Sequence, residues 1–365
     1  MQHYCSLPWD NLDIDPQGNF RPCCKYKHSL ADNLVDYRNS PELKDLKDQF
    51  LQGQRPSGCN RCWQDEDSGL VSKRMLESSA TSSTSQAFTK LQLAFGNTCN
   101  LACRTCYSYA SSKWADNERK VKNILPDITI YKHQKFYNNP EFTESLRDSL
   151  TNLSSIEISG GEPFLSGTTQ QLEWLDFLID NNTSGDINLT HITNGTVFPT
   201  DEFWSRWEKF KTVTLLVSID GLKEKFEYIR WPAQWQDCLI NINRYKDKSK
   251  LYSNIILKIS HTVSIFNVLD LPEFFIWCYK QGLDDPYLGM VSDPDYFSIK
   301  NLPEPAKEYI SKKLGKTNRF QNVINFMNLP GTDLSQQAWH YIKTYDDIRD
   351  QSFDKIFPYI ANQLT

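Results

Sequence analysis

Three cysteines in one short loop, Cys99-Asn100-Leu101-Ala102-Cys103-Arg104-Thr105-Cys106, carry the sharpest chemical signal in the chain. Thiolates are soft ligands that select zinc, copper(I) or iron-sulfur clusters. The C-x3-C-x2-C spacing can fill three corners of a cubic four-iron cluster and leave one iron without a protein ligand. An open iron is a place to bind a substrate or cofactor, whereas a fully ligated cluster only passes electrons. A zinc site short of its fourth ligand is the alternative use of the same loop.

A second set lies upstream: Cys5, the pair Cys23-Cys24, and Cys59-Asn60-Arg61-Cys62. Two distant single cysteines plus a C-x2-C pair add up to a four-thiolate site, with Gly18 suited to a tight β-turn between them. Five thiols compete for four positions, and spacing alone does not separate Cys23 from Cys24. The expected ligands are Cys5, Cys23, Cys59 and Cys62, with Cys24 the alternative to Cys23. A zinc ribbon is the other use of these spacings. Eight of the ten cysteines fall in the first 106 residues, and in a reducing compartment such clustering reads as metal ligation rather than disulfides. Cys238 and Cys278 sit in helical patterns among apolar neighbours and read as packed thiols.

The elements that must hold these residues follow from periodicity. Within 1–77 one helix is clear: Ser40 caps it, Pro41 takes its first position, Leu43, Leu46, Phe50 and Leu51 share a face, and Gly53 ends it. Residues 78–88, SSATSSTSQAF, are small and polar and predict a linker. From 90 to about 295, short apolar strands alternate with helical stripes, the pattern of βα units around a parallel sheet. The predicted strands are Leu91–Phe95, Ser155–Ser159, Ile187–Ile192, Val213–Ile219, Ile255–Thr262 and Tyr287–Val291. The run Val213–Val217 predicts a strand covered on both faces. Residues 296–365 are more polar and predicted helical, anchored by Tyr341, Tyr345, Ile348, Phe353 and Phe357. The expected layout is thus a cysteine-rich module at 1–77, a linker at 78–89, a core at 90–295 and a helical extension at 296–365.

The company kept by the first cysteine loop gives it a family likeness. Ser159-Gly160-Gly161-Glu162-Pro163 follows the second core strand, Thr193-Asn194-Gly195-Thr196 the third and Ser218-Ile219-Asp220-Gly221 the fourth, with Tyr228-Ile229-Arg230 shortly after and His261-Thr262-Val263 on the fifth. With the cysteine triad these segments resemble, in order, the motifs of the radical S-adenosylmethionine (radical SAM) superfamily. The resemblance implies an α/β fold, a partial (β/α)6 barrel with its site at the C-terminal ends of the strands. It implies a [4Fe-4S] cluster on Cys99, Cys103 and Cys106, and S-adenosylmethionine near Gly160, Gly161, Glu162, Asn194, Ser218, Asp220, Arg230 and Val263. The Gly-Gly-Glu-Pro segment would hold the methionyl ammonium group and Arg230 would pair with the carboxylate. Thr105 stands where many members carry an aromatic residue, and Trp231 replaces a usual glycine.

The upstream cysteines resemble the spacing of a twitch module, the truncated relative of the SPASM domain that holds an auxiliary four-iron cluster, here ahead of the barrel. A Cys-x-x-Pro-Trp start, Cys59-x2-Cys62-x3-Glu66 and the tail Asp346-Asp347-Ile348-Arg349 extend that likeness over nearly the whole chain. The implied activity is reductive cleavage of SAM to a 5′-deoxyadenosyl radical that abstracts hydrogen, with oxidative modification of a peptide or protein as the leading reading. A carbohydrate or nucleotide-like substrate is the alternative, and a zinc-stabilised binding protein the rival of another class. A flavodoxin- or ferredoxin-type reductant is the expected partner.

Composition narrows the rest. The chain has 365 residues, 39% apolar and 23% charged, enough for a sizeable core. Forty basic against 45 acidic side chains give a net charge of −5, which argues against a polyanion binder driven by counterion release. No apolar run is long enough to span a membrane, and the first residues lack the pattern of an export signal. A cytosolic protein is expected.

Overall fold

A computed structural model describes residues 3–77, 88–149 and 152–364. Most of the predicted linker lies outside the described residues. One eight-stranded sheet organises the chain in the order β2-β1-β3-β4-β5-β6-β7-β8. The strands are β1 (Asn11–Ile14), β2 (Phe20–Arg21), β3 (Lys90–Ala94), β4 (Ser155–Ser159), β5 (Asn188–Thr193), β6 (Thr212–Ser218), β7 (Ile255–Val263) and β8 (Tyr287–Met290). All neighbours are parallel except β1 and β2. The six predicted strands stand within two residues of their expected ends. The two extra strands come from the N-terminal segment, joined by a turn in which Gly18 takes φ +87°, a conformation that favours glycine. That segment therefore forms the sheet's edge.

The two faces of the sheet differ. In register across one face run Leu12, Leu91, Ile156, Leu189 and Val213, with Ile14, Leu93, Ile158 and Leu215 above them. This face is sealed by helices, among them Thr168–Asp180 with Trp174, Leu175 and Leu178, and Asp201–Trp207 with Phe203 and Trp207. Each such side chain, fully buried, contributes roughly 1.5–3 kcal/mol. The other face carries Asp13, Gln92, Glu157, Thr190 and Thr214 in one row, and β6 alternates buried and half-buried positions along its length. The expectation that Val213–Val217 is covered on both faces is therefore corrected. Thr214 and Leu216 lie half-buried on this more polar face.

The N-terminal segment also reaches strands far across the sheet. Lys73 Nζ reaches Glu157 Oε2 at 3.1 Å on β4, while Arg61 Nη2 donates to the Met290 carbonyl at 3.3 Å on β8. The predicted helix runs Pro41–Leu51 with Ser40 Oγ accepting from Leu43 N, as expected. The C-terminal region is helical, including Glu304–Leu314, Gln321–Met327 and Ser335–Arg349. Among the described residues no helix is long and apolar enough to cross a membrane.

Candidate active site

The thiol triad sits in the loop that leaves the C-terminal end of β3. The segment 229–231 backs it: Ala102 N donates to the Trp231 carbonyl and Arg104 N to the Ile229 carbonyl, both at 2.7 Å. Trp114 Nε1 donates to the Cys103 carbonyl at 2.9 Å. Asn97, fully buried, holds the loop's entry by donating to the Ser108 and Lys132 carbonyls. The three thiols act on one another electrostatically, and burial is the largest cause of the upward shift in each, with Cys99 raised to about 12. Thiols so placed are protonated at neutral pH, so metal binding must displace their protons.

The segment after β4 lies directly on this loop. Gly160 and Gly161 take φ +87° and +51°. A Cβ on Gly160 would stand 2.7 Å from the Gly96 carbonyl oxygen, and one on Gly161 would stand 2.0 Å from that of Thr98. Only glycine allows the close approach. Glu162 then turns inward, fully buried, and its carboxylate accepts from Asn194 N at 2.7 Å, Thr193 Oγ1 at 2.9 and 3.0 Å and Phe164 N at 3.1 Å. Burial raises its pKa to about 7 against the pull of those hydrogen bonds. Glu162 therefore ties the β4 exit to the β5 exit through protein donors.

Asn194 stands beside the triad, its Nδ2 3.0 Å from Asn100 Oδ1 and 3.9 Å from Cys99 Sγ. Arg230 is buried and paired with Asp220 at 2.8 Å, and its Nε has no partner among the described residues. Asp220 also accepts from Thr262 N at 2.7 Å. Ser218 is half-buried at the end of β6, level with Ser260. Val263 is fully buried in an apolar cluster with Ile229 and Phe266. At the mouth, Tyr107 O–H donates to Asp293 beyond β8 at 2.6 Å and Tyr109 O–H to Asp15 beyond β1 at 2.7 Å.

The upstream thiols gather at a second place. Cys5 and Cys23 are buried with Leu7, Leu46, Phe50 and Trp63, and Cys59 packs against them. The Cys23 thiol is pushed up by burial first and then by Cys24, Cys5, Cys59 and Cys62. Cys24 turns toward the polar face of the sheet, where its amide donates to Gln92 Oε1 at 3.2 Å and its Sγ lies 3.8 Å from Gln92 Nε2. Glu66, part of the predicted motif, accepts from Ser72 Oγ at 2.6 Å and Arg74 Nε at 2.8 Å and fixes the chain after the helix. Cys238 and Cys278 are buried helix residues, as read. Among the described residues no three His, Cys, Asp or Glu side chains converge on the position of a single metal ion. In a four-iron cluster each thiolate binds a different iron, so its ligands need not converge on one point.

Sequence reading missed Arg104, Asn97, Asn100 and Trp114. The signal for Arg104 was its place between two cysteines of a loop that must be buried, where a charge needs a partner. Its guanidinium pairs with Asp346 on the Ser335–Arg349 helix and stacks 4.2 Å from the Tyr228 ring centroid.

The chain matches no protein-family profile and no curated protein sequence. Among solved structures, native anSMEcpe with bound AdoMet is 18% identical with a TM-score of 0.43, covering 62% of this chain and 59% of that one. The same protein with bound AdoMet and Cp18Cys peptide is 16% identical with a TM-score of 0.41, covering 66% and 63%. Streptococcus suis SuiB bound to S-adenosylmethionine is 16% identical with a TM-score of 0.36, covering 62% and 45%. The chain spans less than two thirds of the length of each, and likenesses at this level carry no argument about activity.

Proposed function

We propose that this chain is a radical SAM enzyme that modifies a peptide or protein substrate. The observation that carries the reading is the C-x3-C-x2-C loop at the C-terminal end of a parallel strand, with the Gly160-Gly161 segment lying on it and Asn194 beside Cys99. Ligands of parallel sheets bind at this end. Cys99, Cys103 and Cys106 would hold a [4Fe-4S] cluster, which when bound supplies the electron that cleaves SAM and yields the 5′-deoxyadenosyl radical.

The chain's own residues do the rest. The glycine pair lets the β4 exit approach the site, and its carbonyls are the acceptors suited to an ammonium group. Glu162 fixes that segment to the β5 exit, and Arg230 with Asp220 sets the wall beneath. The polar row of Asp13, Gln92, Glu157, Thr190 and Thr214 offers hydrogen-bonding groups to a polar substrate and suits a peptide backbone. Cys5, Cys23, Cys59 and Cys62 would hold an auxiliary [4Fe-4S] cluster, Cys24 being engaged by Gln92. A flavodoxin- or ferredoxin-type partner would supply the electron.

Metal content and spectroscopy test the reading. Anaerobically reconstituted protein should hold about eight irons per chain, and Cys99→Ala/Cys103→Ala/Cys106→Ala about four. A colourless protein with zinc in place of iron would defeat it.

A further inference from the structure

Three buried arginines lie in and around the cysteine loop, Arg230 and Arg349 within electrostatic reach of Cys103, and they are not equivalent. Arg104 is paired with Asp346 and Arg230 with Asp220. Arg349, at the end of the Ser335–Arg349 helix, is 7% exposed, and none of its three side-chain nitrogens has a hydrogen-bond partner among the described residues. Aromatic faces hold it instead. Its guanidinium carbon lies 4.4 Å from the Trp114 ring centroid, 4.8 Å from Trp231 and 5.4 Å from Tyr345. Two of those rings belong to residues that hydrogen-bond the cysteine loop, Trp114 to the Cys103 carbonyl and Trp231 to Ala102 N. The cage therefore lies directly against the loop, with the guanidinium in electrostatic reach of Cys103.

A buried cation without an anion is costly, by several kcal/mol on the usual scale. Rings soften that cost through their negative faces, yet they do not cancel the charge at a distance as a carboxylate would. Arg104 and Arg230 each have a paired carboxylate, whereas Arg349 has none among the described residues. Asp346, one turn back, is already occupied by Arg104, Tyr228 O–H and Phe353 N. The buried Glu118 accepts from Ser108 N through Oε1, its Oε2 has no hydrogen-bond partner among the described residues, and it makes no ion pair with Arg349.

We propose that Arg349 is the fixed counter-charge of the Cys99–Cys103–Cys106 site, favouring the added negative charge when the bound cluster is reduced and so setting its potential. This rests on the radical SAM reading above. Reduction takes one electron from a low-potential donor of flavodoxin or ferredoxin type, or from dithionite in vitro, and no bond forms or breaks. Net charge is one of the quantities that sets such potentials, and Arg349 is a positioning residue in this role because it touches neither thiol nor substrate.

The test is an EPR-monitored redox titration of the full-length, anaerobically loaded chain, following the signal that disappears in the triple cysteine variant. Arg349→Met keeps bulk and removes charge, and Arg349→Lys keeps charge. The methionine variant should lower the reduced-to-oxidised ratio at fixed potential at least tenfold, about 59 mV for one electron, while the lysine variant stays within about threefold of wild type. Equal shifts in both variants, or no shift in either, would overturn the assignment. So would an unchanged potential with weakened SAM binding, which would make the SAM carboxylate the missing anion. In metal-free protein Arg349→Met should melt above wild type, because an uncompensated charge has gone. A lower melting point would show the charge satisfied by the protein itself and remove the argument. A wild-type chain that binds no iron takes away the parent reading and this assignment together, whereas iron at an unchanged potential in Arg349→Met removes this assignment alone.

Discussion

Asp346→Asn puts the contact between the C-terminal helix and the cysteine loop to a direct test. Asp346 is 2% exposed and gathers three donors: Arg104 Nη2, Tyr228 O–H at 2.8 Å and Phe353 N at 2.7 Å. Asparagine preserves the shape and can still accept from two of them, but its amide cannot offset the Arg104 guanidinium. Arg104, also 2% exposed, would then be a second uncompensated cation close to Arg349. Breaking a buried pair by removing one partner costs about 3–5 kcal/mol, roughly a fifth or more of the stability of a typical domain. Urea unfolding of metal-free wild type, Asp346→Asn, Arg104→Met and the double variant gives the cycle. The double variant should recover at least half of the Asp346→Asn loss, because it removes the stranded charge. Additive losses, or a single-variant loss under about 1 kcal/mol, would refute the view that the C-terminal helix braces the loop electrostatically.

Three further outcomes follow from the same structure. His191 is fully buried against Phe164, Phe203 and Trp207, and burial lowers its pKa to about 3. Its folded value lies below its unfolded value near 6.5, so stability is lost as pH falls below about 6.5, by roughly 2 kcal/mol at pH 5. His191→Phe should remove that much of the pH dependence of urea stability between pH 7.5 and 5, and an unchanged dependence would contradict it. Gly161→Ala forces a Cβ to within 2.0 Å of the Thr98 carbonyl and should lower triad iron content, which full iron occupancy would disprove. Cys23→Ala should lose about four irons and Cys24→Ala none, and the reverse pattern would reassign the auxiliary ligand.

How much of this was legible beforehand depends on whether a residue's partner lies nearby in sequence. The six core strands were readable because each is a short apolar run between turn signals, and Ser40 announced its helix because an N-cap acts on the next turn. β1 was not readable: Asn11-Leu12-Asp13-Ile14 is only four residues, its antiparallel neighbour β2 has two, and the parallel strand that pairs with it lies beyond the linker. Leu216 misled because an apolar residue on a half-buried polar face looks like one facing a core. At the site, the cysteines and glycines carried their own spacing signal. The burial of Glu162 and of Val263 and the cage around Arg349 depend on contacts between distant segments. Arg349 had only a resemblance to mark it, since nothing local distinguishes a caged arginine from a surface one.

The central claim is best tested by incubating the anaerobically reconstituted chain with S-adenosylmethionine and a strong one-electron reductant, then quantifying methionine and 5′-deoxyadenosine. Wild type should form both in equal amounts, and the Cys99→Ala/Cys103→Ala/Cys106→Ala chain neither. Equal cleavage in the two proteins, or none by wild type carrying its full iron content, would contradict the assignment of this loop as the site of SAM chemistry.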